Sequence, residues 1–189
     1  YHTDEWFEIK RALKLGAGVI DFERAAKGGY YYLLFAEYGI YYALMDLLGY
    51  FKTANDFLYS LFSDPTQIWL ISRITTAVIG VLNCLIVYLI GKKIHSESVG
   101  LLSALFLSVS LLHVKSSHYA TVDVPLACLV TVCLFMMINK PREGCFRKID
   151  YCLLGAVTAI AVMTKIPAAV LVFPIFVFHY NNLKFETES

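Results

Sequence analysis

The run Ile68–Ile90, IWLISRITTAVIGVLNCLIVYLI, decides the fold. It holds twenty-three residues, interrupted by Arg73 near its start and Asn83 at its middle, and is long enough to cross a bilayer as a helix. Gly91-Lys92-Lys93 stops it with a helix breaker and two cations, as expected of a span end. The wider composition agrees. At 58% hydrophobic over 189 residues, the chain exceeds the roughly 45–50% apolar content of a soluble domain, and its mean hydropathy is +0.62. The reading is an all-α, polytopic helical membrane protein in contact with membrane lipids. A formal net charge of +1 supplies no global field for nucleic acid, which is excluded as a partner.

Towards the C-terminus, further apolar runs follow at 99–114 and 123–138, the second ending at Asn139-Lys140-Pro141-Arg142. Two more, 151–163 and 167–180, are separated by Thr164-Lys165-Ile166-Pro167. Proline removes a backbone donor and restricts the residue before it, so the helix is expected to break there. The alternative is one steep helix with Lys165 at mid-depth, which is costly unless the lysine is paired. Towards the N-terminus, Asp4 to Arg24 has a near-helical apolar repeat but too much charge to span, and is placed in the interface. Tyr30 to Phe51 is apolar yet carries Glu37, Asp46 and many tyrosines, which favour the headgroup level. Lys52 to Thr66 is polar, with Asn55, Asp56, Asp64 and Pro65 as turn and cap residues. Residues 1–66 are therefore expected to form an outer loop with interfacial helices, and 67–189 a transmembrane bundle with spans at about 68–90, 99–114, 123–138, 151–163 and 167–180. The five cysteines show no CxxC pairing and read as small apolar fillers.

Basic residues orient the bundle. Lys92-Lys93 and the loop from Lys140 to Lys148 are two spans apart and share a side, which the positive-inside rule makes cytoplasmic. Arg73, Lys115, His118 and Asp123 then face outward, joined by Lys165 if the chain breaks there. Asp4-Glu5 joins them only if Tyr30 to Phe51 makes no net crossing. Each residue has an ordinary explanation: Asp4 and Glu5 as favourable charges at a helix start, Asp123 as a cap, Arg73 as a snorkelling helix end, His118 as an interfacial histidine. Together they place carboxylates and cations at one hydrocarbon boundary, where Arg and Lys can hold a phosphate and a carboxylate can take a hydroxyl proton.

Four stretches in order carry a resemblance: HTDEW, SRITTAVIGVLNCLIVYLIGKKI, LLHVKSSHYATVDVP and GAVTAIAVMTKIPAA. They resemble the GT-C fold membrane glycosyltransferases of the protein O-mannosyltransferase and aminoarabinose transferase superfamily, the glycosyltransferase family 39 type. The resemblance implies an enzyme that passes a sugar from a polyprenyl-phosphate carrier to an acceptor hydroxyl on a protein, lipid or glycan. The site would lie on the non-cytoplasmic face of a bacterial inner membrane or the endoplasmic reticulum. On the matching positions it implies Asp4, Glu5 and Asp123 as catalytic carboxylates, Asp4 being the general base, with Arg73 and Lys165 holding the donor phosphate. Metal use varies within the superfamily, so a divalent ion near Glu5, His2 or His118 is compatible with it. The chain opens where the family's first transmembrane helix has just ended and stops before its later spans, so upstream and downstream segments are expected. The competing class is a non-catalytic membrane subunit or transporter, in which Asp123, Lys165 and Arg73 form a charge network inside the bundle.

Overall fold

The computed structural model describes residues 3–19, 28–139 and 146–188, and the described residues are helical, without strands. The chain is an all-α membrane protein. Helices α1 (Thr3–Gly16), α2 (Gly29–Leu47) and α3 (Ala54–Ser63) precede the long α4 (Thr66–Ile94). After it come α5 (Glu97–Val109), α6 (Leu111–Ser117), α7 (Asp123–Ile138) and α8 (Lys148–Thr164). A 3-10 turn (Ile166–Leu171) then leads into α9 (Val172–Glu188).

By length and composition, two of the described helices can cross a membrane: α4, and the stretch Ile166–Leu183. A third crossing results if α5 and α6, bent by 63° at Ser110, act as one broken span. The run at 99–114, read as one span from its apolarity, is thus two helices. Ser110 is extended, with ψ near 117°, and its N–H turns back to the Leu107 carbonyl.

Helix α4 is the hub, packing against α5, α6 and α7 and touching α1 and α2. Its buried face runs Ile68, Ser72, Thr76, Gly80, Asn83, then Gly91. Those residues are mostly small or polar, as helix contacts inside a bilayer require, because lipid supplies no hydrophobic drive between helices. The apolar surplus points outward: Leu70, Ile74, Val78, Val81 and Leu85 on α4, and Phe173 and Phe176 on α9, are exposed for lipid to cover. At the α4–α5 turn the backbones almost touch, and a Cβ at Gly100 would sit 2.5 Å from the Tyr88 carbonyl oxygen.

The tyrosines of α2 serve packing more than the headgroup level. Tyr30, Tyr31 and Tyr38 are buried, with the Tyr30 hydroxyl 2.7 Å from Thr76 Oγ1 and the Tyr38 hydroxyl 2.6 Å from Ser72 Oγ. These rungs run in opposite directions along the two chains and fix α2 antiparallel on the first half of α4. Ile9 and Ala12 of α1 complete that core with Leu34 and Ile68. The head of α2 abuts the end of α8, where a Cβ on Gly29 would collide with the Thr164 hydroxyl.

Helix α3 lies inside the segment read from sequence as a polar connector. Thr53 accepts from the Asp56 N–H at 3.3 Å while the Asp56 carboxylate accepts from the Thr53 and Lys52 N–H groups at 2.9 Å. This reciprocal cap starts the helix, and Leu58, Tyr59 and Phe62 remain exposed on it.

Candidate active site

Three elements bring the chemistry-bearing residues together at the Arg73 end of α4. Helix α1 contributes two faces. Glu5, Ile9 and Ala12 point inward and are almost wholly buried. Asp4, Phe7, Glu8 and Arg11, spaced as one stripe three and four residues apart, line a cavity of about 250 Å³. Its other walls are Thr121, Val122 and Asp123 at the head of α7, and Lys165 at the break after α8.

Glu5 is fully buried and bidentate. Its oxygens accept from Arg73 Nε at 2.8 Å and Nη2 at 2.9 Å, and Oε1 also accepts the Ala120 N–H at 2.9 Å. One carboxylate therefore ties α1, α4 and the turn before α7. The Arg73 guanidinium lies over the Trp69 and Tyr119 rings, 5.6 and 5.8 Å from their centroids, which holds its plane.

Asp123 and Lys165 form an open pair. Their atoms meet at 2.8 Å, and their side chains remain 57% and 40% exposed. Lys165 caps α8 in an extended conformation, with φ −158° and ψ 127°, and the 3-10 turn carrying Pro167 follows it. Deeper in the wall, Arg11 Nη1 donates to Glu8 Oε1 at 2.9 Å, each side chain being 10% exposed. Thr121 is buried and its hydroxyl has no hydrogen-bond partner among the described residues.

A second cavity is an apolar groove of about 470 Å³. It runs along α4 from Arg73 past Ile74, Ala77 and Val81, against His113, Val114 and His118 of the α6 region.

The site residues read from sequence thus fall into separate positions. Asp4, Asp123 and Lys165 share the polar cavity. Glu5 and Arg73 are joined to each other behind it, and Arg73 also borders the groove with His118. The suggested metal ligands do not form a set. Glu5 gives its oxygens to Arg73 and Ala120, His118 Nδ1 bonds the Val114 carbonyl at 2.7 Å, and His2 lies outside the described residues. Among the described residues no three His, Cys, Asp or Glu side chains are grouped to hold a cation. Glu8, Arg11 and Thr121 escaped the sequence reading. The signal was the spacing Asp4, Phe7, Glu8, Arg11, which puts four residues on one helix face.

The model of the dolichyl-phosphate-mannose-protein mannosyltransferase family matches residues 55–183. The chain belongs to this family. No curated protein and no solved structure gave a significant match. Within the dolichyl-phosphate-mannose-protein mannosyltransferase match fall Arg73, Asp123, Lys165 and the whole apolar groove. The α1 residues precede it, and the Glu5 bonds to Arg73 and Ala120 attach them to the matched part. The family is one of membrane glycosyltransferases, and the apolar helices make this member an integral membrane protein.

Proposed function

We propose that the chain carries the catalytic face of a glycosyltransferase that moves a sugar from a polyprenyl-phosphate donor to an acceptor hydroxyl. The observation that carries this reading is the convergence of Asp4, Asp123 and Lys165 on one cavity, with Glu5 of the same helix as Asp4 bonded to Arg73, which borders an apolar groove. Lys165 and Arg73 hold the donor phosphate from the cavity side and the groove side, and the polyprenyl chain lies along α4. The acceptor oxygen attacks the anomeric carbon as Asp4 takes its proton. The bond from that carbon to the phosphate oxygen breaks, and polyprenyl phosphate leaves with the electron pair. A single displacement inverts the anomeric centre. Glu5 serves from behind by fixing Arg73 and the turn that presents Asp123.

Lys92 and Lys93 lie in the last turn of α4, and nineteen residues of helix put them about 28 Å from Arg73. By the positive-inside rule the site faces the periplasm, the exterior or the lumen. The exposure of Asp123 and Lys165 weighs against a charge network sealed in a bundle, the transporter-like alternative.

The test is label transfer from radiolabelled polyprenyl-phosphate sugars in membranes holding the full-length protein at matched expression. Asp4→Asn and Lys165→Ala are each expected to abolish it, at least about a hundredfold for the base. Transfer surviving both substitutions, or a product with retained configuration, overturns the reading.

A further inference from the structure

We infer that Glu8 and Arg11 read the hydroxyls of the transferred sugar ring, with Phe7 as the surface on which that ring rests; this rests on the transferase reading above. The cavity of about 250 Å³ is smaller than the roughly 300 Å³ at which pockets begin to hold drug-sized ligands, so it suits a single ring. Its wall has the groups a polyol needs. Arg11 and Glu8 hold each other at 2.9 Å, nine-tenths buried, a guanidinium fork beside a carboxylate. Neighbouring sugar hydroxyls can accept from the first and donate to the second. The Arg11 bond to Glu8 uses one prong of the fork, and among the described residues no other side-chain hydrogen bond is made by that guanidinium. Phe7 lines the same cavity with half its surface exposed, offering an apolar face beside those polar groups.

Glu8 with Arg11 and Asp123 with Lys165 set opposite charges side by side in the cavity wall. An uncharged hexose meets paired donors and acceptors there. The buried pair acts on selectivity, because a site that has given up water to bond a hydroxyl rejects a ring that lacks or misplaces it.

The experiment measures kcat/KM of the full-length protein with polyprenyl-phosphate donors bearing glucose, mannose or galactose. It compares wild type with the double variant E8Q/R11Q, which keeps the pair's shape without its charges. Wild type is expected to favour one epimer by at least about tenfold. The double variant is expected to lose most of that epimer ratio while binding sugar-free polyprenyl phosphate as wild type does. An unchanged ratio, a wild type with no epimer preference, or an equal loss of sugar-free lipid binding overturns the assignment and leaves the transferase reading standing. No transfer by wild type from any donor sinks that reading itself. Where the double variant fails to fold, F7L, at a half-exposed position, serves instead. It is expected to raise KM about three- to tenfold with kcat kept, and an unchanged KM overturns the role of the ring.

Discussion

Glu5 and Arg73 form a two-pronged ion pair whose partners differ in access to water: the glutamate side chain is 0% exposed and the arginine 34%. The asymmetry predicts unequal costs. Arg73→Ala takes the guanidinium from a buried carboxylate and is expected to cost about 3–5 kcal/mol. Glu5→Ala leaves a guanidinium that water can reach and is expected to cost less, about 1–3 kcal/mol. Unfolding midpoints in detergent check this, with the double variant falling short of the summed losses. Equal single losses would contradict the burial difference.

Asn83 bridges α4 to α7 within the apolar layer, its Oδ1 accepting from Thr131 Oγ1 at 2.5 Å. Thr131→Val is expected to destabilise by about 1 kcal/mol, because the asparagine stays buried with one bond fewer. Adding Asn83→Leu should restore most of the loss. Denaturation titrated with a harsh detergent gives the comparison.

Gly100 permits the close α4–α5 crossing, and no rotation of a methyl there avoids the Tyr88 carbonyl. Gly100→Ala is expected to force the helices apart at a cost of about 1–3 kcal/mol. A melting temperature unchanged from wild type would show that the turn yields freely.

Helix α3 depends on the Thr53–Asp56 cap. The N–H groups of Lys52 and Thr53 hold the Asp56 carboxyl below the usual aspartate range. Because the folded state favours the ionised form, this support is present above the unfolded aspartate value, about 3.9, and is lost as pH falls through the folded value. Amide exchange in α3 should therefore show constant protection from neutral pH down to about 5, with fraying confined to stronger acid. Thr53→Ala is expected to speed exchange in the first turn about fivefold at all these pH values.

Much of this arrangement was legible because it is local. The apolar run ending at Asn139 marks the bounds of α7, and Pro167 after Lys165 marks the break that brings the lysine to the cavity. The reading weakened wherever a partner is distant in sequence. Tyr30 and Tyr38 look interfacial until Thr76 and Ser72 are seen to receive their hydroxyls. Glu5 and Asp4 are neighbours with the same chemistry, and only helical phase turns one into the core and the other to the cavity. Helix α3 was missed because its aspartates read as turn residues, although Thr53 and Asp56 have the spacing of a capping box. The bend at Ser110 has neither glycine nor proline to announce it.

The Glu5 carboxylate reaches across 68 residues to Arg73 and 115 residues to Ala120. At synthesis rates of about 5–20 residues per second, α1 emerges roughly 6–23 s before the turn that it must grip. During that interval its charged faces have no finished cavity to enter, so docking of α1 is a late step that follows assembly of the membrane helices. The candidate site thus acts as a checkpoint on biogenesis: a chain whose α7 is misinserted leaves a charged amphipathic helix loose at the membrane surface, open to proteolysis before any chemistry is attempted.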